Sequence, residues 1–451
     1  MRYPFGIGPI VGAGVGARVV ESFEVVAAGV DAVADALGRA IGATEPARGR
    51  APPATRANPT ASSSTPARTV NERGMRLFSD AERMPSERAS ITVRRTRAAA
   101  KLRERGFGAL LVSPGADLFY LTGYQMFASE RLTCLVLDPD GKATIVCPEL
   151  ESPRVAVAAP DIERRTCGET DDPYAVVASL VRAAGSVAVA DQMWAAFVLK
   201  LQAALPDRSF TVASEVTREL RMRKDAAEVE ALRLVSESAD RAYLGILERP
   251  FAGRTEREIG ADLAELLRAE GHDEVGFTIV ASGANGASPH HETGDRRIAE
   301  GDTVVLDFGG AMRGYRSDIT RTVHVSRTAG REEQKVHDVV RRAQEAGYAA
   351  ARRGASAESI DAAARRVIDE AGYGEFFIHR TGHGIGLDGH EHPYLVRGNQ
   401  ETLEPGMAFS IEPGVYLPGR FGVRIEDIAV IDADGSVQPL NRADHAFATV
   451  A

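Results

Sequence analysis

Cysteine is nearly absent: Cys134, Cys147 and Cys167 are the whole supply in 451 residues, and they form neither a C-x-x-C pair nor an even framework. A disulfide scaffold and a thiolate zinc site therefore lack support, and the scarcity fits a reducing compartment, so a cytoplasmic location is expected. Long apolar runs are missing too. No stretch approaches the roughly 18 residues of a membrane span, so no membrane partner is expected. Hydrophobic residues make up 44% and charged residues 26% of the chain, the proportions of a packed globular protein. Positive charge is also short, with 54 Lys plus Arg against 63 Asp plus Glu and a net charge of −9. Such a surface repels a phosphate backbone, and nucleic acid is set aside as a partner. A secretory signal is weak: Arg2 precedes an apolar stretch to Ala17, but the stretch is Gly-rich and no convincing cleavage site follows.

A chain of 451 residues exceeds one ordinary core, so two compact domains plus an extra segment are the starting expectation. Residues 44–68, ATEPARGRAPPATRANPTASSSTPA, hold almost no large apolar side chain and are predicted to be disordered. A short helical pattern, Val19 to Ile41, lies before them. Residues 1–88 are read together as an extension, with Met75 and Met84 as candidate translation starts. From about Thr92 the pattern turns regular, with a helix through Lys101, a strand ALLVS, and two strands joined at Pro139-Asp140-Gly141, a turn signal. Residues 89–215 read as a first α/β domain. Asp225 followed by Glu228, and Thr255 followed by Glu258, are capping boxes that open helices. The second domain, 222–446, then alternates helices with the strand-like runs VGFTIVAS, DTVVLDFG, SDITRTVHV, MAFSIEPGVY and VRIEDIAVI. A curved, largely antiparallel sheet backed by helices is expected, in an α/β (α+β) chain.

Acidic residues in this second domain carry the chemistry. Asp307 and Asp318 lie eleven positions apart on runs joined by the turn GGAMRGYR. An antiparallel hairpin is expected to set them directly opposite each other, with Cβ atoms about 4.5–5.5 Å apart. Carboxylates that close repel unless a cation sits between them. Glu412 and Glu426 repeat the pattern across Pro418-Gly419, and Arg424 shares the face of Glu426 by the strand's period of two. His383, in HRTGHGIGLDGHEHP, supplies an imidazole. Four carboxylates and a neutral His balance two divalent cations, which could generate a bridging hydroxide and act as a Lewis acid. Taken singly, each piece has an ordinary reading as a turn, a cap or a satisfied polar residue; their coincidence in one domain points to a site.

These segments resemble the pita-bread metallopeptidases, in particular the Xaa-Pro dipeptidases and Xaa-Pro aminopeptidases. LDFGGAMRGYRSDITRT is similar to the family's two-aspartate hairpin, HRTGHGIGLDGHEHP to its histidine block, and FSIEPGVY and GVRIEDIAVI to its two glutamate strands. The resemblance runs over roughly residues 90–445. It implies a creatinase/prolidase-like first domain and a pita-bread catalytic domain that cleaves the Xaa-Pro bond of dipeptides or peptide N-termini. By the same resemblance Asp307 binds one metal, Asp318 and Glu426 bridge both, and His383 and Glu412 hold the other. Glu412 is also the general base or proton shuttle, while His290, His379 and His390 bind substrate and stabilise the tetrahedral intermediate; Arg424, which its strand position turns toward whatever the acids bind, is counted with these catalytic residues. Mn²⁺ is the first-choice metal, with Co²⁺, Fe²⁺ or Zn²⁺ also suited to such ligands, and a homodimer is implied. Tyr120 and Tyr124, in DLFYLTGY, read as packing residues, and Gly389 stands where relatives often carry a β-branched residue. Two other readings compete: a hydrolase of a small non-peptide amide on the same fold, and a metal-free creatinase-like enzyme or binding module. The full carboxylate set weighs against the last, because converged carboxylates without cations are costly.

Overall fold

The computed structural model describes residues 85–451 other than Arg327, with side chains from Ala89 onward. The expectations for residues 19–41 and 44–68 lie outside the described residues. The first helix, Pro85–Arg105, already begins inside the range read as an extension.

Six strands follow this helix: β1 (Phe107–Val112), β2 (Cys134–Leu137), β3 (Ala143–Pro148), β4 (Glu163–Cys167), β5 (Ser186–Val189) and β6 (Phe210–Val212). They form one mixed sheet in the order β4-β3-β2-β1-β5-β6. The pair β2–β3 is the antiparallel hairpin expected at Pro139-Asp140-Gly141, whereas β1–β5, β3–β4 and β5–β6 are parallel. β1 and β2 are buried almost throughout. That is the reason for their unbroken apolar sequences, ALLV and CLVL, since a strand covered on both faces needs no polar alternation. Tyr120 and Tyr124 are buried, their hydroxyls donating to Leu220 O and Glu151 Oε2. The core of this sheet is continuous with Leu232, Val235, Ile385, Leu387, Ile428 and Val430 of the second half.

The second half opens on the helix Ala226–Leu247, capped by Asp225 and Glu228, and continues with Glu256–Ala269, capped by Thr255 and Glu258. Both capping boxes stand as read. Strands β7 (Glu274–Ser282), β8 (Thr303–Met312), β9 (Tyr315–Arg316) and β10 (Ile319–Val325) make one antiparallel sheet, closed at its edge by β18 (Thr449–Val450) parallel to β10. The second sheet holds β11 (Gly382–Gly384), β12 (Glu391–Leu395), β13 (Ala408–Ile411), β16 (Asp427–Ile431) and β17 (Val437–Pro439), in the order β12-β11-β13-β16-β17. Between β13 and β16 the chain makes the ribbon β14 (Gly414–Leu417) and β15 (Phe421–Arg424). The helices Arg331–Ala350 and Ala357–Glu370 pack against this half, burying Val336, Val340, Ile360 and Ile368. The β-bridge from Thr320 to Glu426 joins the two sheets.

One buried cation supports that seam. Arg321, 1% exposed, donates to the carbonyls of Thr320, Glu426, Ala443 and Asp444 and pairs with Asp427 Oδ1 at 2.7 Å. Asp427 also accepts from His445 at 2.5 Å. A guanidinium with this many acceptors is fully satisfied, which is what allows a charge to be buried.

Candidate metal centre

The sheets converge on the acids singled out in the sequence. In the β8–β10 ladder Asp307 is paired with Thr320, not with Asp318. The expectation of directly opposed aspartates is thus corrected by two residues, because the two-residue turn Arg313-Gly314 lies one position beyond the midpoint between them, and β9 and β10 continue the same register from it. Asp318 lies two positions before Thr320, on the same face, and so stands diagonal to Asp307. A diagonal pair is still within reach of a shared ion. The glycine in DFGG has a steric cause: a Cβ on Gly309 would lie 2.1 Å from Ser317 O, so only Gly lets the chain cross there.

The glutamate pair follows the sequence reading more closely. The β13–β16 and β14–β15 ladders share one register, and its continuation sets Glu412 opposite Glu426. Both ladders break at these acids. Pro413 has no N–H to donate, while the N–H of Glu412 goes to Thr381 O at 2.8 Å and that of Glu426 to Thr320 O at 3.1 Å. The strands change partners at the site, and each acid is fixed to a neighbouring segment by its own backbone.

His383 sits in β11 between two glycines. A Cβ on Gly382 would lie 2.0 Å from Ser410 O, and one on Gly384 2.2 Å from His392 O. The G-H-G pattern therefore lets β11 squeeze between β12 and β13. The imidazole Nδ1 faces Gly384 O at 3.1 Å, which assigns the proton to Nδ1 and leaves the Nε2 lone pair free. Nε2 lies 3.3 Å from Glu412 Oε1 and 3.8 Å from Asp318 Oδ2.

Three overlapping groups result: Asp307, Asp318 and Glu426; His383, Glu412 and Glu426; and Asp318, His383 and His390. Within each group the ligand atoms all lie within 4.8 Å of one another. Burial, followed by the neighbouring acids Asp307 and Glu412, raises the Asp318 carboxyl well above its ordinary value. Burial and then Asp318 do the same to Glu426. Glu412 is pushed up to about 7, chiefly by burial and against the pull of Arg424. Burial, with His390 adding, holds His383 down to about 3. Two buried oxygens, Asp307 Oδ1 and Glu426 Oε1, have no hydrogen-bond partner among the described residues. Orphaned carboxylate oxygens are rare and costly, and here they point into a cluster with a free imidazole nitrogen. The donor set, oxygen-rich with one nitrogen, fits divalent cations.

The remaining candidates surround this cluster. Arg424 is buried and spends its guanidinium on Asp307 Oδ2 at 2.5 Å, Tyr416 OH at 2.8 Å and Thr320 Oγ1 at 3.1 Å. His379 has both ring nitrogens engaged, Nδ1 with Arg380 O at 2.7 Å and Nε2 with Tyr416 OH at 2.8 Å. The Arg424 donor leaves the Tyr416 hydroxyl hydrogen for His379 Nε2. Burial, with Arg424 next, lowers His379 to about 4. His390 is exposed at the mouth, its ring 3.9 Å from that of His383, and His290 is exposed and near enough to disfavour protonation of both His379 and His390. The adjacent His291 is held by Glu256 at 2.8 Å, a structural role.

Three residues here were not singled out in the sequence. Thr320 Oγ1 donates to Glu426 Oε2 at 2.7 Å, Ser410 Oγ to Glu412 Oε1 at 3.2 Å, and Tyr416 joins Arg424 to His379. The period of two was the available signal, because Thr320, Ser410 and Tyr416 lie an even number of residues from Asp318 or Glu412.

Residues 94–223 match the model of the creatinase/prolidase N-terminal domain, and residues 230–433 that of metallopeptidase family M24. The chain is 45% identical over 358 residues to the probable dipeptidase PepE of Mycobacterium tuberculosis, covering 78% of this chain and 95% of the relative. It is 32% identical to an Xaa-Pro dipeptidase of Pyrococcus horikoshii, covering 73% and 91%. The crystal structure of dipeptidase PepE from Mycobacterium ulcerans superposes with a TM-score of 0.77 at 43% identity, over 82% of this chain and 99% of the other. With a creatinase/prolidase-type domain followed by an M24 domain that gathers four carboxylates and an imidazole, the chain belongs to metallopeptidase family M24.

Proposed function

We propose that the protein hydrolyses the Xaa-Pro bond of dipeptides or of peptide N-termini, with two divalent cations held by Asp307, Asp318, His383, Glu412 and Glu426. The observation that carries this reading is the pair of orphaned oxygens, Asp307 Oδ1 and Glu426 Oε1, beside the raised carboxyls of Asp318, Glu412 and Glu426. Bound cations would polarise the scissile carbonyl and acidify water. The chain's own residues do the rest. Arg424 holds Asp307 in place through Oδ2 and leaves Oδ1 for a ligand. Glu412, steadied by Ser410, accepts the proton of the attacking water and returns it to the leaving proline nitrogen. His390 and His290, exposed at the mouth, contact the substrate, and His379 acts through Tyr416 by fixing the Arg424 guanidinium. Mn²⁺ suits the oxygen-rich donor set.

The test is proline release from a panel of Xaa-Pro dipeptides and longer Xaa-Pro peptides, using chelator-stripped protein with and without added Mn²⁺. Metal-dependent release is expected, with the length preference separating dipeptidase from aminopeptidase action. A protein that binds two metals and cleaves no peptide would overturn the proposal in favour of a small non-peptide amide substrate.

A further inference from the structure

His390 stands at the mouth of the centre, but little of its own holds it there. Its Nδ1 meets Arg380 Nη2 at 3.3 Å, long for a hydrogen bond, and the ring is exposed. The loop that carries it is packed through Ile385 and Leu387, which enter the core, and again from β12 onward. Between these, Asp388 and Gly389 are partly exposed, and a Cβ on Gly389 would meet nothing within 4 Å. A cavity of about 460 Å³ borders this stretch, with Asp117, Thr217 and Arg218 on one wall and Asp388, His390 and Glu391 on the other. Backbone pairing resumes at Glu391, opposite Gly384 in the β11–β12 ladder, so packing does not fix the side chains of Asp388 and His390 on the cavity side.

Ion pairs do. Arg221, in the helix Ser214–Met222, reaches Asp388 Oδ2 at 2.6 Å and Glu391 Oε2 at 2.5 Å, and is itself held by Asp117 Oδ1 at 2.9 Å. Lys224, with its side chain 1% exposed, meets Glu391 Oε1 at 2.6 Å, and its backbone N–H is anchored on Gly406 O at 2.8 Å. The two carboxylates so clamped flank His390, one on each side. Burial alone would raise Glu391, but Lys224 and Arg221 together keep it below its ordinary value, so the clamp is ionic at neutral pH. Arg221 belongs to the creatinase/prolidase-type region and Lys224 to the link that follows it.

We propose that Arg221 and Lys224 are positioning residues for His390: by clamping Asp388 and Glu391 they hold its ring against His383 and the metal centre, so turnover in the second domain depends on docking of the first. The proposal rests on the reading that His390 contacts substrate. A displacement of about 1 Å in such a group can cost about 10²-fold in rate.

The experiment is a double-mutant cycle on the full-length, Mn²⁺-loaded protein, with kcat and KM for an Xaa-Pro dipeptide and metal content measured together. Arg221→Met is expected to lower kcat about 10–10²-fold with two metals retained, Arg221→Lys to recover part of the loss, and Arg221→Met to add nothing in a His390→Ala background. Equal losses in both backgrounds, or loss of metal with kcat, would overturn the clamp while leaving the role of His390 intact. His390→Ala without any loss of kcat would instead overturn the reading of His390, and the clamp with it. Should Arg221→Met fail to fold, Glu391→Gln, which keeps volume and removes charge, runs the same cycle and decides it.

Discussion

Metal-free protein should become less stable as pH rises, in a window set by Glu412. Its carboxyl is raised from 4.5 to about 7, and its side chain is only 15% exposed, so solvent screening is weak. Because the folded-state value lies above the unfolded one, this contribution to stability is fully present below 4.5 and is lost as pH climbs through 7. The loss from Glu412 alone is about 3 kcal/mol. At about 2–4 °C per kcal/mol for a domain of this size, the melting temperature should fall by about 6–12 °C. Asp318 and Glu426 move in the same direction and steepen the fall. The buried histidines act oppositely: His379, held near 4, removes stability as pH drops below about 6.5. The two effects separate in the difference between wild type and Glu412→Gln, followed by thermal melting of chelated protein from pH 5 to 8. Wild type should lose stability relative to the variant across that range. Added Mn²⁺ should reverse the trend, by about 2.7 kcal/mol at a hundredfold excess over Kd, since it binds the ionised cluster. Parallel pH profiles for the two proteins, with melting insensitive to Mn²⁺, would refute the argument.

Two further outcomes are expected. Asp318→Ala removes a carboxylate from two of the three ligand groups and should abolish bound metal and activity together; elemental analysis finding two metals per chain in an active variant would contradict the site. Tyr416→Phe leaves Arg424 Nη1 and His379 Nε2 without their shared partner and should cost about 1–3 kcal/mol by denaturant titration, and an unchanged midpoint would show that the network reorganises freely.

Legibility differed between the two acid pairs for a local reason. Glu412 and Glu426 flank a ribbon whose turn lies midway between them, so counting outward from Gly419 finds the pair that the ladders align. Asp307 and Asp318 flank a tight turn in which Arg313 and Gly314 both take positive φ, 53° and 85°, a hairpin turn that Met312 and Tyr315 close. Its centre lies one residue past their midpoint, which offsets the pairing by two, a step that preserves the face and so preserves the site. His383 was recognisable through the resemblance of HRTGHGIGLDGHEHP to a histidine block, whereas the reason for its flanking glycines, close contacts with Ser410 O and His392 O, appears only when β12 and β13 close on β11.

Patterns within a strand or turn were thus determined by sequence alone: the capping boxes that start two helices, the β2–β3 hairpin, and the acids that share a face. Each rests on neighbours a few residues apart. Tertiary structure decided what depends on separate segments meeting. It brought Thr320 to Glu426 across 106 residues, turned Arg424 toward Asp307, used both nitrogens of His379 on Arg380 and Tyr416, and set Arg221 beside Glu391. A buried charge is satisfied by whichever partners packing delivers, and no local period encodes which they are.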